Sequence, residues 1–369
     1  MQTSTLENKE LEQNQEIREI TYAVAINEAI EQSMEQDENV FLFGLDVDDH
    51  LGIQGSTLGL KEKFGKDRVF GTPLSEDAMT GVAIGAAMHG MRPIHVHIRM
   101  DFVLLAMNQL INMAAKANYV TEGKVKVPMV VRAMIGRSWG QGAQHSQALH
   151  SMFMHVPGIK VIAPSNPYDA KAMLAAAVRD DNPVIFIEHR LLYSTKNFVP
   201  TDYIEGEIGK ARIFIEGSDI TILAVSHMVI EALRAQKILA ALGINAEIID
   251  PVTLSPMDYE SVVKSFSKTK RLLIVDNAWL PCGLSSEVMA KMMEMLPNGI
   301  DEKPLKMARE GFAFTTCPTT RVLEDHFYPN PLTIAKKAYK LVKDAELDEN
   351  SIPAVAFGVS EIDAFKGPF

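Results

Sequence analysis

The chain has 369 residues, enough for two domains of ordinary size, and 47% of it is apolar, which supports a sizeable core. A formal charge of −11 argues against nucleic acid as a partner and leaves room for a basic protein. Two cysteines, Cys282 and Cys317, give no disulfide framework and suit a reducing compartment; with a polar, acidic start and no apolar run long enough to span a bilayer, the expectation is a cytoplasmic protein that does not enter a membrane.

Residues 1–19 read as a frayed tail, and helical and strand patterns alternate after it. Residues 21–38 carry Ile26, Ala29, Ile30 and Met34 at helical spacing with Thr21 as cap, and "NVFLFG" is a short buried strand. A second helix starts after Ser75, a good cap residue, and its first turn holds Glu76 and Asp77, where carboxylates face the positive end of the helix dipole. Gly81 and Gly85 each cost this helix roughly 1 kcal/mol relative to alanine. Such a loss is tolerated where another backbone comes very close, so the helix is expected to be buried and tightly packed, with a carboxyl at its mouth.

A strand over 92–98 follows, then a helix over 101–120 that Asp101 is placed to cap, and a strand over 127–133. After a polar, Gly-rich loop over 135–147 come a strand over 158–164, a helix over 166–180 and a strand over 183–189. That helix has Asn166 as cap and Pro167 in first position. Residues 190–210 have no clear period, and 196–207 read as a linker. A second series has strands near 220–226, 245–251, 271–277 and 304–310, with helices near 228–242, after Pro256, from Leu284 and over 331–343. Continuous apolar strands between helices predict an α/β protein of two domains, 20–195 and 208–345, each a largely parallel sheet with helices on both faces, and a tail over 346–369.

No G-x-G-x-x-G lies between a strand and a helix, and no G-x-x-x-x-G-K-[ST] occurs, so the chain is expected to carry no diphosphate cradle of its own. His95 and His97 share one face of a strand. H-x-H can ligate a metal, but no third ligand is identifiable, and two core or interface histidines are the favoured reading. Asn277, Trp279 and Cys282 follow a second-domain strand, where α/β folds often bind ligands, while Cys282 lacks a histidine partner and reads as a buried thiol. "GQGAQHSQALH" sets His145 on a Gly-rich turn after a buried strand, well placed to pass protons near neutrality; a capping segment with a surface histidine fits the residues equally well.

"TPLSE", "GVAIGAAMHGMRPI", "DFVLLAMNQLINMAAK", "GAQHSQ", "HVPGIKVIAPSNPYDAK" and "VRDDNPVIFIEH" together resemble, in order and spacing, the β subunit of thiamine diphosphate-dependent 2-oxo acid dehydrogenases, with the pyruvate dehydrogenase type looking most similar. "SHMVIEALRAQKILAALGINAEIIDPVTLSPMD" and "LEDHFYP" extend the likeness, which covers about residues 20–343. The resemblance implies a transketolase-like pyrimidine-binding domain followed by a transketolase-like C-terminal domain.

It also implies that Glu76 hydrogen-bonds the N1′ nitrogen of the cofactor's aminopyrimidine and shares a proton there, a job for a buried carboxyl. Phe102 would lie against the pyrimidine ring, and His145 would serve proton transfer as an acyl group moves to a lipoyl arm. A potassium site would take oxygens from Met129, Ala177, Val178, Asp180 and Asn182. Mg²⁺ and the diphosphate would be held mainly by an α subunit in an α2β2 tetramer, the small-residue helix packing at a subunit interface, and a lipoyl-bearing acyltransferase core would accept the product.

Two departures stand out: Leu45 in "FGLDV" replaces the family's usual acid, and "DNAWLPCG" replaces its usual acidic and double-glycine stretch. The sequence leaves the 2-oxo acid open. A split transketolase-type ketol transferase and a non-catalytic scaffold subunit are the alternatives; "QHSQ" counts against the first, and an intact Glu76 and His145 against the second.

Overall fold

A computed structural model describes residues 16–137, 141–301 and 303–353. The strands are β1 (Ile17–Thr21), β2 (Val40–Gly44), β3 (Val69–Gly71), β4 (Arg92–His97), β5 (Val130–Ile135), β6 (Lys160–Ile162), β7 (Val184–His189) and β8 (Lys196–Pro200). The second half adds β9 (Arg212–Ile215), β10 (Ile220–Ala224), β11 (Ala246–Asp250), β12 (Thr253–Ser255), β13 (Arg271–Trp279) and β14 (Lys306–Phe312). Seven strands form one sheet in the order β12-β6-β7-β5-β4-β2-β3, five form a second in the order β14-β13-β10-β11-β9, and β1 pairs with β8 alone. The sheets are parallel except at β12 and β9.

The apolar runs are continuous because both faces of the strands are covered. Along β2, Phe41 and Phe43 enter one core while Val40 and Leu42 enter another. The first of these cores runs on into the second domain through Leu223, Ile249, Leu272 and Ile274. The domains are therefore fused along packed apolar side chains as well as joined by the chain.

The strongest local signals hold. Helix Tyr22–Gln36 starts where Thr21 Oγ1 accepts from the Val24 amide at 3.3 Å, and it buries Ile26, Ala29, Ile30 and Met34. Helix Pro167–Arg179 starts where Asn166 Oδ1 accepts from the Asp169 amide at 3.0 Å. Helix Pro331–Lys343 opens with a reciprocal capping box between Asn330 and Thr333.

Other expectations are corrected. Residues 196–200, read as linker, form β8 against β1, which takes in residues 17–19 of the expected tail. In the expected C-terminal tail, Leu347 and Ile352 pack on the second-domain core, while residues 354–369 lie outside the described residues. The expected helix over 101–120 is broken: helix Met100–Val103, a 3-10 turn Leu104–Ala106, a π-helical stretch Gln109–Ala114 and helix Ala115–Val120. Asp101 sits inside the first turn and caps nothing there.

In the middle of the seven-stranded sheet lies an ion pair. Arg132 on β5 and Glu188 on β7 are each 1% exposed; Nε donates to Oε1 at 2.5 Å and Nη2 to Oε2 at 2.9 Å. Arg132 Nη2 also donates to Ser56 Oγ at 3.0 Å, and the Tyr193 hydroxyl donates to Glu188. Burial acts to lower the arginine's pKa, but Glu188 overcomes this and holds it above its usual range.

Removing one partner strands a charge. Arg132→Met is expected to lower unfolding free energy by about 3–5 kcal/mol in denaturant titrations, whereas Arg132→Met with Glu188→Leu should recover most of that loss. A single variant as stable as the parent would contradict this.

Candidate active site

Three sequence-selected residues lie at the carboxyl edge of the parallel strands, where α/β sheets gather ligands. Glu76 opens helix Glu76–Met88 after the turn that leaves β3. Ser75 holds the cap position but makes no side-chain cap hydrogen bond. The Glu76 carboxylate is half-buried and makes no hydrogen bond among the described residues. It lines a small cavity with Leu45, Thr72, Met79, His95 and His97, so the Leu45 departure sits in the wall that faces Glu76.

The two histidines belong to the core. His95 stacks on Phe43 with ring centres 4.4 Å apart and meets His97 edge-on at 4.4 Å. Its Nδ1 donates to the Phe43 carbonyl at 3.4 Å, which leaves Nε2 as a buried acceptor without a partner among the described residues. Burial pulls the His95 pKa down to about 4 and holds His97 well below its usual value, so both rings are neutral. His97 Nε2 lies 3.4 Å from Thr80 Oγ1, one turn after Glu76. No cluster of three or more metal-ligating side chains occurs among the described residues.

Phe102 follows β4 and His145 follows β5, and their rings meet edge-to-face with centres 5.1 Å apart. The histidine loop is fixed from several sides. Asp101 Oδ1 accepts from the Gln147 amide at 3.2 Å and from its side chain at 2.9 Å, and burial raises the Asp101 pKa against those bonds. Cys317 Sγ donates to the Ser146 carbonyl at 3.5 Å. His150 Nε2 lies 3.0 Å from Asp276 Oδ1 on β13. Sequence reasoning missed these anchors; adjacent Asp101 and Phe102 were the one local hint. Residues 138–140 of the loop lie outside the described residues.

Residues 18–196 match the transketolase pyrimidine-binding domain, and residues 209–334 match the transketolase C-terminal domain. The β subunit of acetoin:2,6-dichlorophenolindophenol oxidoreductase from Bacillus subtilis is 40% identical, covering 90% of this chain and 99% of its own length. The chain belongs to the β-subunit family of thiamine diphosphate-dependent 2-oxo acid dehydrogenases. The 2-oxoisovalerate dehydrogenase subunit beta of Bacillus subtilis is also 40% identical to this β subunit, covering 85% of it and 95% of its own length. The mitochondrial pyruvate dehydrogenase E1 component subunit beta of Rattus norvegicus is 38% identical, over 84% and 87%. A solved structure of an inactive beta4 tetramer of a split-gene transketolase shares the fold, with a TM-score of 0.72 over 88% of this chain and 98% of that one, at 20% identity.

The residues expected around potassium in the β subunit are already engaged. Arg92 Nη1 donates to the Val178 carbonyl at 2.9 Å and to the Asp180 carbonyl at 3.1 Å. The Met129 carbonyl accepts from the Val184 amide at 2.9 Å, and the Ala177 carbonyl from the Asp180 amide at 3.3 Å. Asp180 Oδ1 accepts from the Asn182 amide at 2.9 Å. The Arg92 guanidinium thus brings a positive charge to this helix end, where the carbonyls carry partial negative charge.

The glycines of helix Glu76–Met88 also depart from expectation. Among the described residues no backbone approaches them: a Cβ at Gly81 would meet only the Gln109 side chain at 3.8 Å, and one at Gly85 nothing within 4 Å. Cys282 is exposed rather than buried, and among the described residues no helix is long and apolar enough to cross a membrane.

Gly142 shows how tightly the histidine loop is fitted. Its φ is +52°, and a Cβ there would overlap Thr319 Cγ2 from the second domain. Gly142→Ala should cost on the order of 2–4 kcal/mol in unfolding free energy. Adding Thr319→Ser removes the clashing methyl and should leave about 1–2 kcal/mol of backbone strain. A double variant no more stable than the single would refute this account of the fit.

Proposed function

We propose that this β subunit supplies the pyrimidine half of a thiamine diphosphate site and, with an α subunit, oxidatively decarboxylates a short 2-oxo acid, pyruvate first among them, passing the acyl group to a lipoyl carrier. What carries the reading is the placement at one sheet edge of a half-buried carboxylate free of internal hydrogen bonds, Glu76, and of the Phe102–His145 contact. When bound, thiamine diphosphate supplies a nucleophilic carbon and a sink for the electron pair released with carbon dioxide.

The chain's own residues have simpler tasks. Glu76 holds a proton at its carboxyl oxygen against a ring nitrogen of the pyrimidine, while Leu45 and Met79 in the same wall keep water from one side. Phe102 offers an apolar ring face. His145, held edge-on to it, passes a proton at its imidazole nitrogen as the acyl group leaves.

Mg²⁺ takes oxygen ligands, usually one or two carboxylates with phosphates and waters, and that half of the site falls to the α subunit. Leu74, Val82, Leu105 and Tyr119 are 78%, 52%, 61% and 86% exposed, an apolar surface suited to a partner chain in an α2β2 tetramer. A second substrate reading, acetoin, is favoured by the oxidoreductase subunit that is 40% identical over 90% of the chain.

With the α subunit present, turnover of a panel of 2-oxo acids and acetoin with an artificial electron acceptor separates the substrates. In that assay Glu76→Gln should lose at least about 100-fold in kcat with the thermal midpoint unchanged; near-normal turnover would sink the role assigned to Glu76. His145→Ala should depress acyl transfer to a lipoyl acceptor more than it depresses dye reduction. Parental rates with both acceptors would remove His145 from the reaction.

A further inference from the structure

The five-stranded sheet carries a cavity that the site above does not use. The chain passes from β10 to β11 on one side and later to β13 on the other, so the strand order reverses between β10 and β13. Parallel sheets open a crevice outside the carboxyl ends of two such strands. Here His227, just after β10, and Asn277, near the end of β13, line a cavity of about 340 Å³. Small-molecule sites occupy roughly 300–1,000 Å³.

Two polar groups in the wall call for an acceptor. Asn277 is 1% exposed, and its Nδ2 has no partner among the described residues. A buried amide donor left in this state costs about 1–3 kcal/mol. The Arg137 side chain is 12% exposed, and its one hydrogen bond among the described residues goes to Glu324 at a long 3.4 Å. The Arg137 guanidinium otherwise lies 4.4 Å from the Tyr328 ring centre, so most of its five N–H donors make no bond among the described residues.

The charge of the wall selects among ligands. Glu231 is bridged by Arg234 at 3.2 Å, Asp325 by Arg321 at 3.8 Å and Glu324 by Arg137 at 3.4 Å, so these carboxylates are each answered by a guanidinium, and Arg137 still has N–H donors that its one long bond does not use. His189 and His227 stack face to face with centres 4.6 Å apart, and burial keeps His189 neutral. Leu191, Met228 and Leu332 make the rest of the wall apolar.

We propose that this cavity binds a small oxyanion-bearing metabolite, its carboxylate or phosphate head accepting from Asn277 Nδ2 and Arg137 and its short carbon body resting on Leu191, Met228 and Leu332. Arg137 begins the loop that carries His145, so the occupant touches the segment that positions that ring.

Calorimetric titration of inorganic phosphate, acetate and propionate into the full chain tests this. One-site saturable binding of at least one probe is expected. Preference for phosphate identifies a phosphate ester as the occupant's class, and preference for propionate identifies a carboxylic acid. Asn277→Asp, which keeps the shape and adds a like charge, should weaken that binding at least tenfold. Arg321→Glu, at an exposed position in the wall, should weaken it several-fold and serves as the informative variant should Asn277→Asp fail to fold. Absence of saturable binding by all three probes, or parental affinity in the folded variants, overturns the proposal.

Discussion

The architecture turns on a buried charge that must be answered where it stands. Arg132 and Glu188 sit on neighbouring central strands with almost no access to water, and their attraction offsets desolvation only if the geometry is good and the remaining donors and acceptors are filled. Ser56 accepts from Arg132 Nη2 and Tyr193 donates to Glu188, while Arg132 Nη1 has no partner among the described residues; the cluster draws in the long connection after β2 and the turn after β7. Tyr193 in turn stacks on Tyr22 at 6.0 Å, so the first long helix is seated by the same cluster. The end of β5 is fixed from beneath, and the loop bearing His145 leaves from that end.

From above, the loop is held by the other domain. Cys317, Thr319 and Asp276 all belong to the second half of the chain, and each presses or bonds to the segment around His145. The second domain contributes no side chain to the proposed chemistry, yet it sets the position of one that does.

Much of this was legible in the residues. Caps helped place the helices at 22–36 and 167–179 because Thr21 and Asn166 act within their own turns, and the helix at 331–343 was read without its cap, Asn330. The motifs around Glu76, Phe102 and His145 marked side chains that the fold brings to one sheet edge. What was not legible depends on partners far away in sequence. β8 looks like linker because its only pairing is with β1, across most of the first domain. Asp101 looks like a helix cap because nothing local says that Gln147 will claim its carboxylate. The paired glycines promised a close neighbour, and their face is open within the single chain, as a contact with another chain requires.

The three residues of β12 have a consequence for how the protein is made. Thr253 and Ser255 pair with Ile162 and Val161, closing the edge of the seven-stranded sheet with a strand that follows most of β9 to β11 in the chain. On a ribosome, that sheet must wait with β6 unpaired on one side while about ninety further residues are synthesised, several seconds at usual elongation rates. An open edge of buried-type strands is a template for wrong pairing. Translation speed across residues 163–255 thus becomes a structural variable, and a nascent chain released before Ser255 would carry an exposed β-edge that the finished protein never shows.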